Sequence, residues 1–69
     1  MIEVGKLAWN KKIEVLRVLN NLTQEEAAAK CNTTQKVFWS WENGKRYPRE
    51  NSRLAIAKAF NVKAEDIFG

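Results

Sequence analysis

Between Thr34 and Pro48 the chain has room for one short helix and a loop, and for little else. Threonine is a strong N-cap, because its hydroxyl satisfies an amide left open in the first helical turn. Gly44 suits the left-handed conformation that ends a helix, and Pro48 lacks the amide needed to resume one. At about 3.6 residues per turn, Val37, Phe38 and Trp41 fall on one flank of residues 34–43, with Glu42 at its edge. Gln35, Lys36, Trp39, Ser40 and Asn43 fall on the other. The first flank suits a core. The second presents an amide, an ammonium, an indole and a hydroxyl on a rigid rod, followed at once by Lys45, Arg46 and Arg49. Amides and cations of this kind read base edges and hold phosphates, so the stretch has the makings of a recognition helix.

The charge distribution points the same way. Lys30 to Arg53 contains six basic residues and two acidic ones, Glu42 and Glu50, in a chain of net charge +4. A basic run alone describes a solvated face as well as it describes the footprint of a polyanion. Gln35, Lys36 and Ser40 on the exposed flank beside it are what favour nucleic acid. Other chemistries are excluded by what is missing. The sequence has no histidine, which removes His-based acid–base catalysis and the Ser-His-Asp arrangement. Cys31 is its only cysteine, so neither a disulfide within the chain nor a thiolate zinc site can form. No enzyme, metal or cofactor is expected. Residues 1–10 carry Glu3 and Lys6 and no continuous apolar stretch, so they do not resemble a signal peptide, and no apolar run approaches a membrane span. The expectation is a cytoplasmic protein with no membrane partner. Sixty-nine residues allow one domain, 1–69, with a modest core made largely by helix-on-helix packing.

In chain order, residues 1–5 read as a frayed end. From about Lys6 to Asn20, the apolar residues Leu7, Trp9, Ile13, Leu16 and Leu19 recur near helical spacing, with Val15 and Val18 widening the stripe. Asn20-Asn21 closes this helix. Thr23-Gln24-Glu25-Glu26 is a capping box, and Leu22 before it is placed for a hydrophobic staple on Ala27. Ala27-Ala28-Ala29 combines high helix propensity with little bulk, so another helix should approach closely there. This second helix ends near Cys31, with Asn32 as the left-handed residue of the turn. A short helix, a tight turn and a second short helix form a helix-turn-helix. An ordinary helical hairpin has the same spacing, and the polar flank of residues 35–43 distinguishes the two. Beyond Pro48, Leu54, Ala57 and Phe60 mark a fourth helix over about 51–60, with Ile56 beside the stripe. Asn61 should stop it, and a last short helix runs over about 64–68. The expected fold is all-α, a compact five-helix domain with the helix-turn-helix formed by helices 2 and 3.

At this point the sequence resembles the phage repressor and Cro family of helix-turn-helix proteins, often called the XRE type. The resemblance is carried by Leu22-Thr23-Gln24-Glu25-Glu26, Ala28, Thr34-Gln35, Trp41-Glu42-Asn43-Gly44-Lys45 and Pro48. It continues through Ala57-Lys58-Ala59-Phe60-Asn61-Val62 and Asp66-Ile67-Phe68, covering roughly residues 12 to 68. Thr33-Thr34-Gln35 and Glu42-Asn43-Gly44-Lys45 look especially like the lambdoid phage repressors. The resemblance implies that Gln35 makes a bidentate contact with adenine, whose N6 and N7 match the donor and acceptor of an amide. It implies that Gln24 binds a phosphate and braces Gln35. Lys36 and Ser40 occupy the other base-reading positions, Lys36 favouring guanine. Thr23, Thr34, Asn43, Lys45 and Arg46 would sit on phosphates, helped by the positive end of helix 2, and Arg49 would reach towards the minor groove or its flanking phosphates. Arg17 and Glu42 match a pair that forms an internal salt bridge in the lambdoid repressors, where sequence alone sees two surface charges.

Three positions depart from the family pattern. Asn32 replaces the usual turn glycine, Glu50 replaces a usual apolar residue, and Trp39 stands on the DNA-facing flank where a small or polar residue is common. Trp39 either packs on a thymine methyl or a sugar, or covers the edge of the core. The expected function is a sequence-specific regulator of transcription, a repressor acting as a homodimer on a two-fold symmetric operator in double-stranded DNA. Tyr47, Pro48, Val62 and Phe68 are the candidate dimer surface. The competing reading, of another class, is an antitoxin or adaptor whose main ligand is a protein partner. Exposed aromatics suit it; Gln35 and the basic loop count against it as the whole function.

Overall fold

Five α-helices follow one another in the computed structural model, which describes residues 6–69: α1 (Trp9–Leu19), α2 (Gln24–Lys30), α3 (Gln35–Glu42), α4 (Glu50–Phe60) and α5 (Ala64–Phe68). The frayed end expected for residues 1–5 lies outside the described residues. No strand occurs among residues 6–69.

Helix ends account for most of the chain path. Asn21, Asn32 and Asn61 have φ of 56°, 57° and 56°, and Gly44 has φ of 68°. After each, the next amide reaches back five residues: Leu22 N to Arg17 O, Thr33 N to Ala28 O, Lys45 N to Ser40 O and Val62 N to Ala57 O. These are Schellman closures, in which a left-handed residue lets the chain satisfy carbonyls that the helix leaves open. Asparagine tolerates that conformation better than other residues with a Cβ. One device therefore ends α1, α2, α3 and α4. Starts are more varied. Thr23 and Thr34 cap α2 and α3, each accepting a backbone amide three residues on. At α2 the Glu26 carboxylate returns to the Thr23 amide at 2.9 Å, completing the capping box.

Ile13, Ala27, Ala28, Phe38, Trp41, Ile56, Phe60 and Ile67 form the buried core, with Cys31 among them. Ala27 and Ala28 have lost nearly all their exposure in α2, which packs against both α3 and α4. Phe38, wholly buried, meets Trp41 edge-on at 5.9 Å. Burial pushes the Cys31 thiol up to about 11, so it stays protonated and packs as a small apolar group.

Several sequence expectations need correction. Residues Lys6 and Leu7 lie outside α1, which starts at Trp9 after an extended Ala8 with ψ of 156°. The Trp9 ring is held by Tyr47 and Phe68, and this docking outweighs the local helix propensity of the residues before it. Val18, Leu19 and Leu54 are exposed, although their spacing places them on apolar stripes. On α4 the buried line is Ile56, Ala57 and Phe60, displaced from the expected centre. The helix also begins one residue early. Glu50 is its first residue, exposed, with its carboxylate at the positive end of the helix rather than in the packing.

Candidate nucleic-acid interface

The exposed flank of α3 is set by what its other flank buries. Phe38, Trp41 and Glu42 point inward, which leaves Gln35, Lys36 and Asn43 exposed and turns Trp39 outward with 46% of its surface free. Ser40 is half-buried, and its hydroxyl donates to Val37 O at 2.6 Å; its lone pairs remain available to a donor. Asn43 Nδ2 donates to Trp39 O at 2.9 Å, closing the end of α3. Thr23 and Thr34 use their oxygens as capping acceptors, so a phosphate would take their hydroxyl protons.

Lys45, Arg46 and Arg49 are exposed in and beside the loop that follows α3. Two open clefts meet at Arg46. One, of about 290 Å³, is lined by Lys36, Val37, Ser40 and Arg46. The other, of about 370 Å³, runs from Val37 past Arg46 to Pro48, Arg49 and Ser52. Val37 lies on both. In the sequence it reads wholly as core, because it stands at the margin of the apolar flank. In the structure it is half-buried, packing on the core with part of its surface and lining the clefts with the rest.

Beneath this face Glu42 is held from several sides. Arg17 donates to both carboxylate oxygens, Nη2 to Oε1 at 3.3 Å and Nε to Oε2 in a shorter contact. Arg17 Nη1 also donates to Leu22 O at 2.9 Å, and Gln24 Nε2 donates to Glu42 Oε1 at 3.2 Å. Glu42 is 5% exposed, and no buried side-chain nitrogen or oxygen among the described residues lacks a partner. The resemblance has Gln24 bracing Gln35 and binding a phosphate; here its amide nitrogen donates to Glu42 Oε1, and a second amide proton and the amide oxygen remain for other partners.

The dimer candidates divide. Pro48 is among the most fully buried side chains and cannot contribute to an interface. Tyr47 is 51% exposed, while Val62 and Phe68 are half-buried. Phe68 meets Tyr47 at 5.8 Å and Trp9 at 6.2 Å. Asn10, which no sequence pattern singles out, donates from Nδ2 to Glu42 O at 3.1 Å. Nothing in its own neighbourhood signals a partner 32 residues away.

Residues 13–67 match the model of a family described as Helix-turn-helix. The chain belongs to the XRE-type helix-turn-helix family. Among curated relatives, it is 42% identical over 57 residues to an uncharacterized HTH-type transcriptional regulator of Methanocaldococcus jannaschii, covering 83% of this chain and 86% of that one. A second such regulator, from Archaeoglobus fulgidus, is 37% identical over 57 residues, covering 83% and 80%. The HTH-type transcriptional activator BcrR of Enterococcus faecalis is 34% identical over 61 residues, 88% of this chain but 30% of that protein. No solved structure gives a significant match. Among the described residues no helix is long and apolar enough to cross a membrane, and no group of acidic, cysteine or histidine side chains could hold a metal ion.

Proposed function

We propose that residues 1–69 form one DNA-binding unit of a transcriptional regulator that acts in the cytoplasm as a homodimer on a two-fold symmetric operator, repressing by occupancy. The observation that carries this reading is the outward flank of α3, with Gln35, Lys36 and Trp39 exposed beside three loop cations. A helix fits the major groove, where base pairs present distinct donor and acceptor patterns. Gln35, on the first turn, takes adenine through its amide. Lys36 takes guanine O6 and N7, Ser40 donates or accepts at a neighbouring base, and the Trp39 ring packs on a thymine methyl. Thr23, Gln24, Thr34, Asn43, Lys45, Arg46 and Arg49 hold the phosphates on either side. Tyr47, Val62 and Phe68 form the dimer surface.

Selection of bound sequences from random duplex DNA tests this reading, run beside Gln35→Ala. The wild type is expected to return an inverted repeat. The variant should lose preference at one adenine per half-site, about 1–3 kcal/mol of discrimination, while other positions keep theirs. Weak, sequence-independent binding by the wild type overturns the proposal. The exposed rings of Trp39 and Tyr47 favour a protein-binding antitoxin or adaptor as the second reading, and that outcome would bring it forward.

A further inference from the structure

Trp9 and Asn10 open α1, far in sequence from α3 and its loop, yet both residues touch them. Asn10 Nδ2 donates to the carbonyl of Glu42, the last residue of α3, where helix carbonyls lack partners within the helix. A Cβ on Gly44 would stand 3.4 Å from Asn10 Nδ2, so the Asn10 amide lies against the left-handed residue that turns the chain into the loop. Trp9 meets Tyr47 edge-on, with ring centroids 5.1 Å apart and planes at 81°. Arg53 of α4 stands over the Tyr47 ring at 5.3 Å and donates to Pro48 O at 2.9 Å. The loop is thus gripped at its start by the first turn of α1 and at its end by α4. Lys45 and Arg46 lie between these anchors.

We propose that Asn10 and Trp9 are positioning residues for DNA, a clasp that holds the loop cations in register with the phosphates that flank the site of α3. The inference rests on the DNA-binding reading above and adds residues that touch no DNA themselves. Its physical basis is a division of support. α3 is held by Phe38, Trp41 and the Glu42 carboxylate, all buried. The loop backbone is tied to α3 through Gly44 N on Trp41 O at 3.1 Å and through Lys45 N and Arg46 N on Ser40 O at 2.9 and 3.3 Å. Beyond Arg46 it is held by Tyr47 against Trp9 and Phe68, by the buried Pro48 and by Arg53, and Asn10 and Trp9 are what α1 adds to that support. Loosening the clasp should therefore weaken the phosphate grip and leave base reading in place.

The experiment measures duplex binding by the full chain as a function of salt, on a selected duplex and on a scrambled one. The proteins are the wild type, Asn10→Ala, Trp9→Ala and Trp9→Phe, each checked by circular dichroism for folding at the assay temperature. Each phosphate that a variant no longer neutralises should lower the slope of log K against log salt by about 0.9. Asn10→Ala and Trp9→Ala are expected to show such a reduction on both duplexes, while adenine preference at the Gln35 position persists. Trp9→Phe keeps an aromatic edge for Tyr47 and should restore the wild-type slope. If one alanine variant fails to fold, the other is read in the same way, and Trp9→Phe remains the positive control. A wild-type slope in the alanine variants overturns the proposal, as does loss of adenine preference with the slope intact. A wild type without sequence preference would sink the regulator reading alone, because the slope on the scrambled duplex still decides the clasp.

Discussion

Glu42 shows how much one side chain can organise. Its backbone carbonyl accepts from Asn10, and its carboxylate accepts from Arg17 and Gln24, so α1, α2 and α3 converge on one residue. Glu42→Ala would leave a guanidinium and an amide without their acceptor, one of them on a side chain only 17% exposed. A loss of about 3–5 kcal/mol is expected for breaking one partner of such a pair. That is a large part of the stability of so small a domain. Glu42→Gln keeps the shape and one acceptor oxygen and should cost less. Urea unfolding followed by circular dichroism measures both; a Glu42→Ala loss under about 1 kcal/mol, typical of an exposed pair, would show that the network does not hold the fold. Local pattern cannot join these residues. Family resemblance pairs Arg17 with Glu42, whereas Asn10 and the inward turn of Gln24 depend on side-chain reach across a tertiary contact, which neither periodicity nor resemblance records.

At the scale of the helix, local chemistry is far more readable. Thr23, Thr34, Asn21, Asn32, Gly44 and Asn61 act through bonds to residues within five positions, so their sequence neighbourhood contains the whole device. The capping box of α2 is the case to test. Thr23→Ala removes the acceptor for Glu26 N and should cost about 0.5–2 kcal/mol. Glu26 adds a pH dependence. Hydrogen bonds, first from the Thr23 amide and then from its side chain, hold the Glu26 carboxyl below its ordinary 4.5. The fold thus favours the ionised form. Its contribution is complete above the ordinary value and disappears as pH falls through the lower folded one. Thermal melts of the wild type and Glu26→Gln should therefore differ at neutral pH and converge in acid; a gap that stays constant as the carboxylates are protonated would contradict this. Periodicity is less reliable where only a few side chains face the core. Leu54 and Ile56 are two positions apart on α4, and hydropathy ranks them alike, but packing against α2 and α5 buries only Ile56.

For the whole molecule, the limiting quantity is how much one copy can discriminate. One recognition helix offers a few base contacts, each worth about 1–3 kcal/mol against a wrong base. Specific sites must exceed non-specific ones by about 4–10 kcal/mol. Only Gln35 and Lys36 offer bidentate pairs, together about 2–6 kcal/mol on that scale, which reaches no further than the lower half of that range, so two copies on a repeated half-site are the more robust solution. The dimensions permit it. Principal extents of 30 × 25 × 23 Å let two copies sit side by side with recognition helices about 34–36 Å apart, one turn of B-DNA. A surface through Tyr47, Val62 and Phe68 would fix that spacing, since Tyr47 and Phe68 pack with Trp9 in one aromatic cluster and Val62 packs against the core. Affinity should then depend on helical phase. Inserting about half a turn between the half-sites is expected to reduce binding to that of a single half-site, and sedimentation should find two chains on the correctly spaced duplex. Equal affinity at every spacing, with one chain per half-site, would mean that each copy binds alone. Specificity would then have to come from α3 and its clasped loop within a single half-site.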